Sequence, residues 1–241
     1  MLVTLLVSIA HAAEEETVGF GLMDIWNHSG WLARGVIIML FGMLLGTIIV
    51  SIERNFVFSK RRKLSMTVAA SVVGPLKDGS VPDALLVVQN EEFEDSYLAS
   101  VLKAGLTELD ATTSSFGISN ATRAVDKTIG EELSKLRRGM TILATVGSTA
   151  PFVGLFGTTF GVINAFDGMA TEGSGLSAIS AGISEALITT GVGIGVAVVG
   201  VWAFNFFNLK AEKVADELAS SKADFLDWAA KYVHAQTKAG K

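Results

Sequence analysis

A single acidic side chain lies inside the last of three long apolar blocks in this sequence. Glu185 sits in the run AISAGISEALITTGVGIG, in which every other side chain is uncharged. A carboxylate near the centre of a bilayer costs at least ~2.5–3.5 kcal/mol on insertion scales, so such a residue usually faces water or the interior of a helix bundle. Glu185 is therefore a candidate for an ion pathway. A hydrogen-bonding strut between subunits is the alternative interpretation.

Hydroxyl side chains accompany this carboxylate in the two later apolar blocks. Thr158 lies in the middle of the second block, and Thr190 lies about 140° round a helix from Glu185. For Thr158 the residues leave two interpretations open, a pore lining and a hydrogen bond between helices. Further candidates for lining a lumen are Ser148, Thr159 and Thr189.

Small residues recur along the second apolar block at steps of four and three, which keeps them on one helix face. A face with so little side-chain bulk must contact another helix closely or border a cavity. The proline among them also frees a backbone carbonyl, which needs a new partner. The stripe consists of Gly147, Pro151, Gly154, Thr158, Gly161, Ala165 and Gly168. Its members predicted to serve helix packing are Gly147, Pro151, Gly154 and Gly161.

The composition places these residues in a membrane protein. Half of the 241 residues are hydrophobic and 18% are charged, against about 25% charged in soluble domains. The net charge of −5 argues against nucleic-acid binding, and the absence of cysteine excludes disulfides and thiolate metal sites. The three histidines lie far apart along the chain, so neither a metal nor a cofactor is predicted.

Basic residues flank each apolar block on one side, which by the positive-inside rule is the cytoplasmic side. The predicted fold is therefore an all-α integral membrane protein with three transmembrane helices, an external amino terminus and an internal carboxyl terminus. The third block exceeds the thickness of a bilayer, so its helix is expected to extend into the cytoplasm. The marker residues are Arg54, Lys60, Arg61, Arg62, Lys63, Arg137, Arg138, Lys210 and Lys213.

The predicted organisation follows from these blocks and markers. Residues 1–13 resemble a signal peptide, with an uncleaved interfacial tail as the alternative. The remaining segments are a periplasmic amphipathic segment at 14–30, a first span at 31–52, a cytoplasmic helical domain at 53–138, a second span at 139–166, a periplasmic loop at 167–176, a third span at 177–209 and a cytoplasmic helical tail at 210–241.

Within the cytoplasmic domain, residues 85–109 have roughly helical spacing, and Ser119 with Asn120 is expected to cap the helix that enters the second span. The acidic side chains of this domain are interpreted as a solvated face, with partner binding as the alternative. They are Glu91, Glu92, Glu94 and Asp95.

Two segments carry a family resemblance: APFVGLFGTTFGVIN at 150–164 and AGISEALITTG at 181–191. In order and spacing they resemble the signature segments of the ExbB/TolQ branch of the MotA/TolQ/ExbB proton channel family. The predicted three spans, with a cytoplasmic domain between the first two, also resemble that branch. Thr159 departs from the pattern, because it forms a Thr-Thr pair with Thr158.

The resemblance implies a ring, with long cytoplasmic helical extensions, in the bacterial inner membrane. It implies a homopentamer enclosing a dimer of a single-span ExbD/TolR-like protein, whose aspartate carries the proton. In this comparison Thr158 and Thr190 match pore-facing threonines, and Glu185 matches the membrane glutamate. A TonB/TolA-like protein or a motility protein would receive the work.

The function expected from the sequence is a stator subunit that couples ion flow, with the proton as the expected ion, to work on the cell envelope. A passive membrane scaffold for an envelope transport or export complex is the alternative. An intramembrane enzyme has little support, because the spans contain no Ser/His or paired-aspartate constellation and no phosphate-binding loop.

Overall fold

Every regular element among residues 30–112, 114–172 and 175–239, which the computed structural model describes, is a helix. The prediction of an all-α fold is confirmed. The predicted signal peptide and nearly all of the amphipathic segment lie outside the described residues. The elements are α1 (Trp31–Lys77), α2 (Val81–Val88), a 3₁₀ turn (Glu91–Phe93), α3 (Tyr97–Ala111), α4 (Ser115–Arg137), α5 (Met140–Glu172) and α6 (Gly175–Ala239).

Three of these helices, α1, α5 and α6, are long and apolar enough to cross a membrane. Large apolar side chains project outward from them, among them Ile38 at 60% exposure, Leu187 at 67% and Trp202 at 74%. Such exposure suits helices whose surroundings are lipid tails. The prediction of three membrane-spanning helices is thereby confirmed, while the orientation and the ring remain predictions.

Two of the membrane helices are much longer than a bilayer is thick. Helix α1 has 47 residues and α6 has 65, which correspond to about 70 and 98 Å at the rise of an α-helix. The hydrocarbon core is about 30 Å thick. Both helices therefore continue well beyond the membrane without a break.

The predicted loop at 167–176 is largely helical in the structure. Helix α5 continues to Glu172, and α6 begins at Gly175. The stretch from Asp167 to Glu172 contains one glycine and no proline, so nothing in it interrupts the helical hydrogen bonds.

The chain divides into two compact units. The first contains residues 30–44 and Gly147–Val198, and the second contains Leu45–Val146 and Val199–Lys241. In the second unit a hydrophobic core includes the fully buried Leu106, Leu109 and Leu218. The ring of Phe225 packs on Gly105, where a Cβ atom would lie 2.6 Å from the ring.

Side-chain caps set the helix boundaries of this second unit. The helix predicted over 85–109 is divided, because Asn90 accepts a hydrogen bond from the Glu92 amide and Ser96 accepts one from the Ala99 amide. Helix α4 likewise begins after Ser114, whose side chain caps it. The expected cap at Ser119 and Asn120 is wrong, since both residues lie inside α4.

The basic cluster after the first apolar block forms ion pairs in the second unit. The buried Glu132 carboxylate accepts hydrogen bonds from Arg61 at 2.8 Å and from Lys135 at 2.7 Å. Lys60 donates to Asp95 at 2.5 Å and thereby lowers the pKa of that exposed carboxyl. These residues join α1 to the α2–α3 turn and to α4, a role that their interpretation as charge markers did not include.

Candidate ion pathway

Helices α5 and α6 approach each other closely in the first unit, because glycines face backbone across the contact. A Cβ atom on Gly154 would lie 2.9 Å from the carbonyl oxygen of Thr189. One on Gly193 would lie 2.8 Å from the carbonyl oxygen of Ala150, and one on Gly182 would lie 2.5 Å from the Cβ of Ala165. These distances are shorter than side-chain contacts allow, so the two backbones touch at Gly154 and Gly193, and only the methyl group of Ala165 separates them at Gly182.

Thr189 lies at the centre of this contact and is fully buried. Its hydroxyl donates to the carbonyl of Ala186 on its own helix at 2.7 Å. A Cβ atom on Gly157 would lie 2.6 Å from the Thr189 hydroxyl oxygen and 3.2 Å from Val36 of α1. All three membrane helices therefore meet near Gly157. In this subunit Thr189 faces a helix contact and not an open lumen.

The hydroxyl of Thr190 is buried and has no hydrogen-bond partner among the residues that the structure describes. A buried hydroxyl without a partner loses about 1–3 kcal/mol of hydration. The backbone of Thr190 packs closely on α5, since a Cβ atom on Gly154 would lie 3.0 Å from the Thr190 Cα. The Thr190 hydroxyl is therefore a buried polar group whose hydrogen-bonding capacity the described part of this chain leaves unused.

Thr158 and Thr159 lie on the more accessible side of α5. Both hydroxyls donate to the carbonyl of Leu155, from Thr158 at 2.7 Å and from Thr159 at 3.1 Å. Thr158 is half-buried and Thr159 is exposed. Each hydroxyl keeps its lone pairs available to a further donor or cation, since these bonds use only the proton.

Glu185 lies against the amino-terminal end of α1. Its Oε1 accepts a hydrogen bond of 2.7 Å from the backbone N–H of Gly30, the residue whose carbonyl begins the hydrogen-bond ladder of α1 through Arg34. The side-chain nitrogen of Asn164 lies 3.5 Å from where a Cβ of Gly30 would stand. A carboxylate at this place also suits the partial positive charge of the helix terminus.

The remaining predicted residues lie along α5. Gly147 is buried, Pro151 is half-buried within the helix, and Ser148 is exposed. Pro151 has no N–H, so the helical bond to the Gly147 carbonyl is not made. Gly161 packs on α6, with its Cβ position 2.9 Å from the Cβ of Ala186.

Sequence reasoning did not find several residues of this contact. Gly157, and not Thr158, occupies the tight face between Gly154 and Gly161. On α6 a matching series of small residues faces it: Gly182, Ala186, Thr189 and Gly193. Their steps of four, three and four follow the same rule as the α5 stripe. Gly30 and Asn164 had no such signal, because Gly30 meets Glu185, and Asn164 lies beside Gly30, only through the tertiary fold.

No group of three or more histidine, cysteine or acidic side chains in the described part of the chain could hold a metal ion.

The deciding comparison covers the segment that contains all these threonines and Glu185. Residues 93–220 match the MotA/TolQ/ExbB proton channel family. The chain belongs to this family. The family resemblance predicted from residues 150–164 and 181–191 is therefore confirmed. The family is one of channels and not a class of enzymes.

Individual relatives agree with the ExbB/TolQ branch of this family. The Tol-Pal system protein TolQ of Pseudomonas aeruginosa is 38% identical over 125 residues, which are 49% of this chain and 54% of that protein. The biopolymer transport protein ExbB of Xanthomonas campestris pv. campestris is 47% identical over 87 residues, 36% of this chain and 34% of that protein. ExbB of Salmonella typhimurium is 39% identical over 102 residues, 42% of this chain and 39% of that protein. The matching regions thus span about half of TolQ and between a third and two fifths of the two ExbB proteins.

Proposed function

We propose that this chain is a ring-forming stator subunit of an ion-driven motor in the bacterial inner membrane. It would couple the flow of an ion, with the proton as the first candidate, to work on the cell envelope. A single-span ExbD/TolR-like protein would be its partner, present as a dimer inside a homopentamer. A TonB/TolA-like protein or a motility protein would receive the work.

The observation that carries this proposal is the buried hydroxyl of Thr190, which has no partner among the described residues. An ion pathway needs oxygen atoms that are sheltered from lipid and not consumed by the protein itself. Thr190 has such an oxygen, and Thr158 has lone pairs left on its hydroxyl. Both lie in the segment that matches the proton channel family.

In the proposed mechanism, the hydroxyls of Thr158 and Thr190 bind water or the ion on its way to an acidic residue of the partner. Neutralising that acid removes a charge inside the ring and changes which position of the inner dimer is favoured. A membrane potential of ~100 mV supplies about 2.3 kcal/mol for each charge that crosses. This is enough to bias each step of a rotation.

In the same proposal Glu185 also has a structural role beside the ion pathway. Its bond to the Gly30 amide fixes the start of α1 beside α6. Glu185 would then act as a positioning residue as well as an acceptor for ions that enter.

A passive scaffold is the second candidate, favoured by the close packing of α5 on α6. Such packing would hold a partner's helix whether or not ions pass. In a scaffold, Glu185→Gln would change activity only as far as it changes the amount of protein in the membrane.

The test is ion flux into liposomes that contain the purified complex of this chain with its single-span partner. Thr158→Val and Thr190→Val keep the side-chain shape but remove the hydroxyl, so both should assemble normally and lose flux. Thr190→Ser is the matched control and should retain it. Normal flux in both valine variants would contradict the pathway.

A further inference from the structure

A small cavity lies between α1 and α6 in the second unit, beside the charged residues that follow the apolar parts of both helices. Its volume is about 110 Å³, below the ~300–1,000 Å³ of pockets for whole small molecules. It can therefore accept a single charged group. The side chains that matter for its chemistry are Phe58, Arg62, Lys210, Lys213, Val214 and Glu217.

The cavity carries an excess of positive charge. The one carboxylate in its wall, Glu217, already has partners on both oxygens, Arg62 at 3.1 Å and the hydroxyl of Tyr97 at 3.1 Å. Lys210 donates to the neutral amide oxygen of Asn55 at 3.0 Å. Lys213 is exposed and forms no ion pair with any residue in the described part of the chain. Two ammonium groups thus remain without a counter-ion.

The depth of these ammonium groups matches the headgroup layer of a bilayer. Lys210 donates to Asn55, which lies three residues, or about 4.5 Å, beyond the predicted first span at 31–52. Lys213 lies about 4.5 Å further along the helix. The polar layer on each side of the hydrocarbon core is about 5–8 Å thick. Lys210 therefore lies at the depth of this polar layer, and the long side chain of Lys213 can reach back into it.

The rest of the wall and its surroundings are apolar. Phe58 and Val214 line the cavity, and Phe58 stacks on Phe207 with ring centroids 6.0 Å apart. Beside it Phe206 and Leu209 are exposed at 52% and 66%. A ligand that has a negatively charged group next to a hydrocarbon part would pair with the two ammonium groups and also cover these apolar side chains.

We propose that this cavity binds the phosphate headgroup of an anionic phospholipid, with Lys213 and Lys210 as the cations that hold it. Free phosphate could pair with the same ammonium groups but would leave the apolar side chains uncovered. The site does not depend on the proposed motor function, because it needs only that the chain spans a membrane.

The experiment counts lipids bound to the purified full-length protein by native mass spectrometry in a neutral detergent. Phosphatidylglycerol is compared with phosphatidylcholine, which also has a phosphate but no net charge. Each basic side chain near a membrane surface contributes a factor of about five to anionic-lipid binding. Lys213→Gln should therefore weaken phosphatidylglycerol binding about fivefold, and Lys213→Arg should preserve it.

The matched control is Lys231→Gln, the same change of charge on the same helix about 27 Å further from the membrane. It should bind phosphatidylglycerol as the wild type does. Equal binding by the Lys213→Gln and Lys231→Gln variants would overturn the proposal, as would equal binding of the two lipids by the wild type.

Two further measurements distinguish a bound phospholipid from a free anion and from a second copy of this chain. Millimolar inorganic phosphate should leave phosphatidylglycerol bound, and its displacement would indicate a free-anion site instead. If Lys213→Gln reduces the number of chains per complex but not the lipids per chain, the surface is an interface with a second copy, and the proposal is wrong.

Binding of phosphatidylglycerol to the wild type should also weaken as the salt concentration increases. Binding that does not depend on salt would contradict the proposal without any variant.

Discussion

Glu185 has a defined partner in this chain, the backbone N–H of Gly30, and this contact constrains what the carboxylate does. Acceptors at a helix amino terminus contribute about 0.5–2 kcal/mol by satisfying a backbone donor. A negative charge there adds a smaller contribution from the helix dipole. The structural role needs an oxygen atom, whereas a role in ion transfer needs the charge. The two roles can therefore be separated by substitution.

Glu185→Gln keeps an oxygen that accepts from Gly30, while Glu185→Ala removes it. We expect the alanine variant to lose about 1 kcal/mol of stability and the glutamine variant to lose less. If the charge serves the ion pathway, the glutamine variant should nevertheless lose most of the ion flux. Thermal unfolding in detergent and liposome flux measure the two effects. A glutamine variant with full flux would restrict Glu185 to the structural role.

Tyr97 offers a second test at the residue scale. Burial, together with the charge of the neighbouring Glu217, raises the pKa of Tyr97 to about 12 from the usual value near 10. Because the folded state holds this proton more tightly, the contribution to stability is complete below pH ~10 and decreases as the pH rises toward about 12.

Stability of the wild type should therefore decrease over this range more steeply than that of Tyr97→Phe, which has no phenolic proton. Chemical denaturation of the two proteins at several pH values measures the difference. Parallel pH profiles would show that the phenol titrates normally.

At the scale of elements, the contact between α5 and α6 rests on the absence of side chains at particular positions. Replacing a helical glycine by alanine gains about 1 kcal/mol in helix propensity. At Gly193 the new Cβ would lie 2.8 Å from the Ala150 carbonyl oxygen, whereas at Gly191 nothing lies within 4 Å in this chain. Overpacking of this kind costs about 1–3 kcal/mol.

Gly193→Ala should therefore lower the thermal stability of the protein, and Gly191→Ala should maintain or raise it. Both variants are compared by thermal unfolding in the same detergent. The close contact would be contradicted if the two substitutions had the same effect.

The ion pair between α1 and α4 is a second link between elements. The side chain of Glu132 is 1% exposed and that of Arg61 is 13% exposed. Removing one partner of a buried pair costs about 3–5 kcal/mol. Glu132→Gln should therefore be strongly destabilising, while Glu131→Gln, which affects an exposed pair with Lys127, should cost at most ~1 kcal/mol. Denaturant unfolding of the two variants measures this, and equal losses would contradict the buried pair.

The sequence was informative wherever a signal is local. The apolar blocks and basic flanks predicted three membrane helices, because hydrophobic length alone determines whether a helix can span. The sequence does not predict contacts between residues that lie far apart along the chain. Arg61 looked like a charge marker because its partner Glu132 is 71 residues away. The sequence pattern does not indicate Gly157, because the steps of four and three lead from Gly154 through the neighbouring Thr158 to Gly161. Other residues near Ser96 and Ser114 are equally suitable as helix caps, and only tertiary packing selects among them.

At the scale of the whole molecule, this is a three-span member of the MotA/TolQ/ExbB proton channel family. Glu185, in the apolar body of the third block, is the one acidic side chain inside the predicted spans. Its carboxylate already accepts a hydrogen bond from Gly30. The proposed pathway therefore requires a second protein to supply the acid that the ion neutralises. Ion flow through the proposed pathway should therefore depend on that partner.

The most direct test is ion flux into liposomes under an imposed membrane potential, with this chain alone and with the proposed single-span partner. We expect little flux from the chain alone and potential-driven flux from the complex. That flux should disappear when the proton-carrying aspartate proposed for this partner is replaced by asparagine. Equal flux with and without the partner, or undiminished flux after that replacement, would contradict the account.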